Sequence, residues 1–188
     1  LRYFNVFGPR QSLENEYAVV VPKFITCVLR QESPPVYGDG HQSRDFTYVD
    51  NVVDATVRAS TTPGASGQVF NVACGEVHTV LELLEEINRI LKRSVAPTFV
   101  APRPGDVRRT AADISAISRA FRWQPSVSFA EGLAKTISWF QAGAMMYSRN
   151  LLIPVAMDSL SVNGAVASIN IARSLNQMFN NNPPIETV

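Results

Sequence analysis

From Leu1 to about residue 142, short runs of β-branched and aromatic residues alternate with longer segments whose apolar residues recur at helical spacing. That alternation leaves little choice of architecture. Helices must cover the faces of a sheet, so the chain reads as α/β. Residues 1–7 read as a strand closed by Gly8-Pro9, with the polar Asn5 inside it. Val21, Phe24, Ile25, Val28 and Leu29 define a helix over 18–30, in which Pro22 is tolerated only in a first turn. Ser33-Pro34-Pro35 ends it. Gln68–Ala73 reads as a short strand broken at Gly75, and residues 95–101 as another, interrupted at Pro97. Thr79-Val80-Leu81-Glu82 is a capping box that opens a helix with Val80, Leu83, Leu84, Ile87 and Leu91 on one face. Asp113 is expected to cap a short helix carrying Ile114, Ile117 and Phe121. Ser128-Phe129-Ala130-Glu131 reads as a second capping box, ahead of Leu133, Ile137 and Phe140.

The stretch from Tyr37 to Asp54 concentrates the chemistry. Tyr37-Gly38-Asp39-Gly40 is a glycine turn that lets backbone bend sharply or approach a ligand. Arg44 and Asp45 follow, then the apolar Phe46, Tyr48 and Val49, and then Asp50 as an expected N-cap of a helix. The planar donor fork of Arg44 suits phosphate or carboxylate. A structural Arg44–Asp45 pair on the surface is the other reading.

Composition narrows the function classes. Net charge is +1 in 188 residues, which gives no global case for nucleic acid or an anionic membrane, so any anion site is local. The apolar runs are too short to span a bilayer, and Leu1–Phe7 is unlike a signal peptide. Cys27 and Cys74 make no disulfide framework, which points to a reducing, cytoplasmic setting. His41 and His78 have no metal-ligand spacing and read as solvated loop histidines. The chain has no initiator Met and starts inside a strand-like run, which points to a fragment.

Several catalytic signatures are absent from these residues. No Gly-x-Gly-x-x-Gly or Gly-x-x-Gly-x-x-Gly follows a strand, and no Gly-Lys-Ser/Thr occurs. No tyrosine has a lysine four residues on: Phe7, Val21, His41, Val52 and Leu151 stand there. What remains is a set of binding groups. Arg44 and Arg103 sit in glycine-containing loops, and two arginines can hold a diphosphate by charge-assisted bonds. Asp106 can accept from a ribose diol, Tyr37 can line a base, and Asn5 ends a strand.

Five motifs in order carry a resemblance: Leu1-Arg-Tyr-Phe-Asn-Val-Phe-Gly-Pro-Arg-Gln11, Val20-Val21-Pro22, Tyr37-Gly-Asp-Gly40, Ser43-Arg-Asp-Phe-Thr-Tyr-Val-Asp50 and Arg103-Pro-Gly-Asp106. Over about residues 1–142 the chain resembles the carboxy-terminal, substrate-binding half of the extended short-chain dehydrogenases acting on nucleotide sugars. The UDP-glucose and UDP-N-acetylglucosamine 4-epimerases are the nearest in pattern. The resemblance implies an α/β fold of Rossmann type without its N-terminal dinucleotide-binding half. It implies that Asn5 contacts the sugar diphosphate, and that Val19 and Val20 offer backbone near the sugar and uridine. Tyr37 would border the uracil, Arg44 and Arg103 would hold the diphosphate, and Asp106 would take the ribose hydroxyls. Thr110 would border the sugar, and Tyr3 would lie near the nicotinamide end of NAD. The family's cofactor is NAD and its partner a UDP-sugar. Here the Rossmann half and the Tyr/Lys pair would lie upstream of Leu1, so this chain is expected neither to bind NAD nor to turn over alone.

The character of the sequence changes after Ser148. Residues 1–148 are expected to form the nucleotide-sugar domain and 149–188 an unrelated strand and helix. Leu151–Gly164 resembles a piece of a plasmid-partitioning ATPase of the deviant-Walker class, without that family's phosphate loop. Three functions compete on this footing. The chain is the substrate half of an epimerase or dehydratase, a non-catalytic UDP-sugar module, or a repurposed fold that forms a homo-oligomer through an exposed face.

Overall fold

The computed structural model describes residues 1–13 and 20–150, so Val19 and the expected strand and helix of 151–188 lie outside the described residues. The fold below is that of the unit Leu1–Met145. It is a mixed α/β arrangement of short, mostly parallel strand pairs flanked by helices.

The expected strand over 1–7 is two strands, β1 (Arg2–Tyr3) and β2 (Val6–Phe7). Asn5, at φ 34°, turns the chain between them. The break has a reason in pairing. β1 runs parallel to β6 (Asn71–Val72), whereas β2 runs parallel to β5 (Thr47–Tyr48), so one apolar run serves two neighbours. β3 (Pro35–Tyr37) lies parallel to β8 (Thr98–Val100). β4 (Ser43–Arg44) is the middle strand of three, antiparallel to β7 (His78–Thr79) and parallel to β9 (Arg109–Thr110). β9 falls in a segment whose Pro, Gly and charge content read as irregular, and its pairing with β4 is what makes it a strand.

Helix α1 (Val20–Arg30) is the described part of the expected helix and carries Pro22 near its printed start. α2 (Val49–Thr61) follows β5 without a loop, so Tyr48 occupies the cap position, with no side-chain cap bond. Asp50 is therefore a first-turn residue and not the N-cap. Its carboxylate still favours the positive end of the helix. α3 (Val80–Leu91) has the expected capping box: the Glu82 amide donates to Thr79 Oγ1 at 3.1 Å, and the Thr79 amide donates to the Glu82 carboxylate at 2.7 Å. In α4 (Ser115–Phe121), Ile114 holds the cap position while Asp113 accepts from the Ser115 amide at 2.8 Å. α5 (Phe129–Asn150) has half of its expected box. Its Glu131 amide donates to Ser128 Oγ, but the Glu131 carboxylate is ion-paired with Lys135 at 3.0 Å.

Two cores result. The larger unites Phe24, Ile25 and Val28 of α1, Leu83 and Ile87 of α3, and Leu133 and Ile137 of α5 around Phe7, Phe46 and Tyr48. Phe46 stacks on Phe129 at 5.6 Å between centroids. The smaller core gathers Ala55, Val72, Ile117 and Phe121 about Trp123, which is fully buried. α5 approaches β5 so closely that a Cβ on Gly132 would meet the Tyr48 ring at 2.7 Å. Buried Asn51 fastens α2 to the segment before α5: its Oδ1 accepts from the amides of Ser126 and Val127, each at 3.0 Å, and its Nδ2 donates to Val127 O at 2.8 Å.

Candidate functional site: a cation-lined cavity between the glycine turn and the 101–108 loop

The fold sets two loops face to face. Gly38 and Gly40 adopt φ of 68° and 76°, a region open to glycine at little cost, so Tyr37-Gly-Asp-Gly40 bends tightly after β3. A Cβ on Gly40 would also strike Leu81 at 2.7 Å. Opposite it lies the segment after β8, fastened by three contacts. Arg103 donates to the Tyr37 hydroxyl at 2.7 Å, with its guanidinium carbon 3.9 Å from the ring centroid. Arg108 donates to both oxygens of Asp39 at 2.9 Å. Arg44, reaching out from β4, is ion-paired with Asp106.

Between these loops and the N-terminal turn of α1 is a cavity of about 580 Å³. That is ligand-sized. Its walls include Asn5, Val20, Tyr37, Arg44, Arg103 and Asp106, so six of the residues singled out from sequence converge on one space. Tyr3 and Thr110 do not line it. Tyr3 is half exposed on β1 and hydrogen-bonded to Thr56 Oγ1 at 3.0 Å. Thr110 pairs with Arg44 across the β4–β9 ladder, one strand away from the cavity. Val19 is not among the described residues.

The local Arg44–Asp45 pair does not form. Neighbours in extended chain face opposite sides, and Asp45 is fully buried. Its carboxylate accepts from the amides of Cys74 at 2.8 Å and Gly75 at 3.0 Å, and from that of Ala112. Burial pushes the Asp45 carboxyl up from its ordinary range, against the pull of those amides. The Asp45 carbonyl accepts from Asn5 Nδ2 at 3.2 Å, and its amide donates to Thr110 O at 2.9 Å. One buried residue thus fixes the backbone that presents both Asn5 and Arg44.

Electrostatics in the cavity are lopsided. Among the described residues, Lys23, Arg44 and Arg103 face one carboxylate, Asp106. The hydrogen bond from Arg103 holds the Tyr37 hydroxyl below its ordinary range. His78 is not a solvated loop residue: it lies in β7 with its ring stacked on Phe129 at 4.1 Å. Sequence reasoning passed over Lys23, Gln11 and Gln42, all of which line the cavity. Lys23 had a signal, since it follows Val20 by one turn on a face otherwise apolar. Gln42 had none, and it donates to Tyr37 O at 2.9 Å.

A dinucleotide site needs a glycine-rich turn between a strand and a helix N-terminus. β5 enters α2 at Tyr48–Val49, and β7 enters α3 at Thr79–Val80, neither with a glycine. Among the described residues neither junction fits NAD. Nor do the described residues hold a His/Cys/Asp/Glu cluster fit for a metal ion, or a helix long and apolar enough to cross a membrane.

Residues 1–73 match the model of the NAD dependent epimerase/dehydratase family. The individual relatives are nucleotide-sugar enzymes. The chain is 41% identical over 137 residues to a UDP-glucose 4-epimerase of Mycolicibacterium smegmatis, covering 73% of this chain and 43% of that protein. It is 32% identical over 147 residues to a UDP-N-acetyl-alpha-D-glucosaminuronate decarboxylase of Bacillus cytotoxicus, covering 75% and 45%. Among solved structures, the UDP-glucose 4-epimerase of Thermotoga maritima with UDP-glucose superimposes with a TM-score of 0.72 at 37% identity, over 76% of this chain and 45% of that one. The UDP-glucuronic acid 4-epimerase of Bacillus cereus, in complex with UDP-glucuronic acid and NAD, gives 0.70 at 32% identity, over 75% and 44%. The chain therefore spans less than half the length of the relatives it matches. Residues 151–188, the segment resembling a partitioning ATPase, lie outside the described fold.

Proposed function

We propose that the cavity binds the nucleotide diphosphate of a UDP-hexose, and that residues 1–148 are the substrate-binding portion of an NAD-dependent sugar epimerase or dehydratase. The observation that carries this reading is the convergence of Asn5, Tyr37, Arg44, Arg103 and Asp106 on one cavity, from positions up to 101 residues apart by number. Surface residues with unrelated roles would not be expected to meet in this way. Arg44 and Arg103 supply fork-shaped donors for the phosphates. Asn5 adds a neutral amide, Val20 a wall, and Asp106 an acceptor for ribose hydroxyls. The solved relatives bound to UDP-sugars support the choice of ligand. Thr110, paired with Arg44 across the β4–β9 ladder, acts through that pairing; on the same reading Val19 offers backbone to the sugar and uridine, and Tyr3 belongs to the cofactor end.

In the full-length relatives NAD supplies the hydride chemistry. These 188 residues hold no Tyr-x-x-x-Lys pair. On this reading, the chain alone binds the UDP-sugar and does not epimerise it. Calorimetric titration with UDP tests the binding: saturable heat in the wild type, abolished in Arg44→Ala, is expected. No binding by the wild type overturns the reading. Turnover of UDP-glucose above the blank, with NAD added, would overturn the inactivity.

A second reading, a homo-oligomer, rests on one observation. Leu1, Tyr3, Val53, Val57 and Val69 are each at least 40% exposed, and Tyr3 bonds to Thr56 between the two α2 valines. Such an apolar face suits a second copy of the chain. A monomer by size-exclusion and light scattering rules it out.

A further inference from the structure

We infer that Lys23 is a third anion ligand of the cavity and, among the described residues that line it, the one cation held ready for the incoming phosphate. This rests on the proposed binding of a nucleotide diphosphate. Arg103 is engaged with the hydroxyl and ring of Tyr37, and Arg44 with Asp106 and the Ser43 carbonyl at 2.8 Å. Lys23 lines the same cavity and, among the described residues, is ion-paired with no carboxylate. Its place is dictated by the fold. It lies in the first turn and a half of α1, between buried Pro22 and Phe24, and α1 packs that face on the larger core. The aliphatic stem can therefore follow the cavity wall while the ammonium stays at the polar end near Tyr37.

Charge gives the reason for a third cation. A diphosphate diester carries two negative charges, whereas among the described lining residues the two arginines against Asp106 leave an excess of only one. Lys23 brings the excess to the two that neutralise it. Its compact, rotatable ammonium also serves a phosphate as a point charge, where the arginines set direction by their forks.

The test uses the 188-residue chain in low salt, where partly exposed charges are least screened. Wild type, Lys23→Met, Lys23→Arg and the exposed-charge control Lys92→Met are titrated with UDP, uridine and inorganic pyrophosphate. Lys23→Met is expected to weaken UDP and pyrophosphate about tenfold, the scale of one charge-assisted bond, and to leave uridine unmoved. Lys23→Arg should stay within about threefold of wild type, and Lys92→Met should change nothing. Unchanged UDP and pyrophosphate affinity in a folded Lys23→Met chain overturns the assignment, as does an equal loss in Lys92→Met. Pyrophosphate binding that needs Lys23, in a chain that ignores UDP, leaves the anion site standing and fells the nucleotide reading. Binding of neither by the wild type fells both.

Discussion

Arg44 and Asp106, 62 residues apart in the chain, form an ion pair at the cavity wall. Both are polar groups proposed for the ligand, and each satisfies the other. Ligand entry is then an exchange of partners: Arg44 trades a carboxylate for phosphate, and Asp106 trades a guanidinium for ribose hydroxyls. A part-buried ion pair of this kind is worth about 1 kcal/mol or less, small enough to be replaced.

That exchange predicts a divergence between ligands. Asp106→Asn removes the competitor for Arg44 and one negative charge beside the anion. Inorganic pyrophosphate should bind about threefold more tightly to this variant, while uridine binds more weakly because a neutral amide oxygen is a poorer acceptor than a carboxylate and its second oxygen is replaced by a donor. Calorimetry reads both. Weaker pyrophosphate binding in Asp106→Asn would contradict the exchange.

Asn51 predicts where stability is concentrated. Its side chain satisfies the buried Val127 amide and carbonyl across 76 residues of chain, and the Ser126 amide besides. Asn51→Leu leaves those groups without partners in an apolar setting, at a cost of about 2–4 kcal/mol. Urea unfolding measures it, and a change below about 0.5 kcal/mol would contradict the role.

Cys74 should be chemically quiet. Burial pushes its thiol up to about 11, with the Asp45 charge adding to the effect, and burial raises Cys27 as well. At neutral pH about one molecule in ten thousand carries the Cys74 thiolate. Iodoacetamide should label native Cys74 far more slowly than the urea-unfolded chain, as followed by mass spectrometry. Equal rates would show that the β6 end opens freely.

The α3 capping box predicts a pH dependence. The amide of Thr79 holds the Glu82 carboxyl below its unfolded value of 4.5. Its contribution is thus complete above that value and is lost as pH falls through the depressed one. Glu82→Gln should lower the melting temperature by a few degrees at neutral pH, with the gap to wild type closing in acid. A gap that persists unchanged in acid would assign the effect to something other than the ionised carboxylate.

What could be read from sequence was what is local. Helix α3 and its box follow from four adjacent residues and an apolar period, and both appear as expected. Strand β9 could not be read, because two residues, Arg109 and Thr110, are a strand only through their pairing with Ser43 and Arg44. The same holds in the site. Arg44, Arg103 and Asp106 were visible as chemistry in loops, but their partners were not: Asp45 lies beside Arg44 in sequence and turns into the core instead. Asp50 was misplaced as a cap because nothing local indicates that β5 runs into α2 without a loop. Lys23 escaped notice because one cation on an apolar helix face is ordinary until the cavity beside it is seen.

The most direct measurement is a crystal structure of the 188-residue chain grown with UDP-glucose. The account predicts the diphosphate between Arg44 and Arg103 with the Lys23 ammonium within about 3 Å of a phosphate oxygen, the uracil bordered by Tyr37, and Asp106 released from Arg44 onto the ribose. A nucleotide seated elsewhere, such as the shallow depression beside Cys74 and Arg119, or a cavity left empty with the Arg44–Asp106 pair intact, would contradict it.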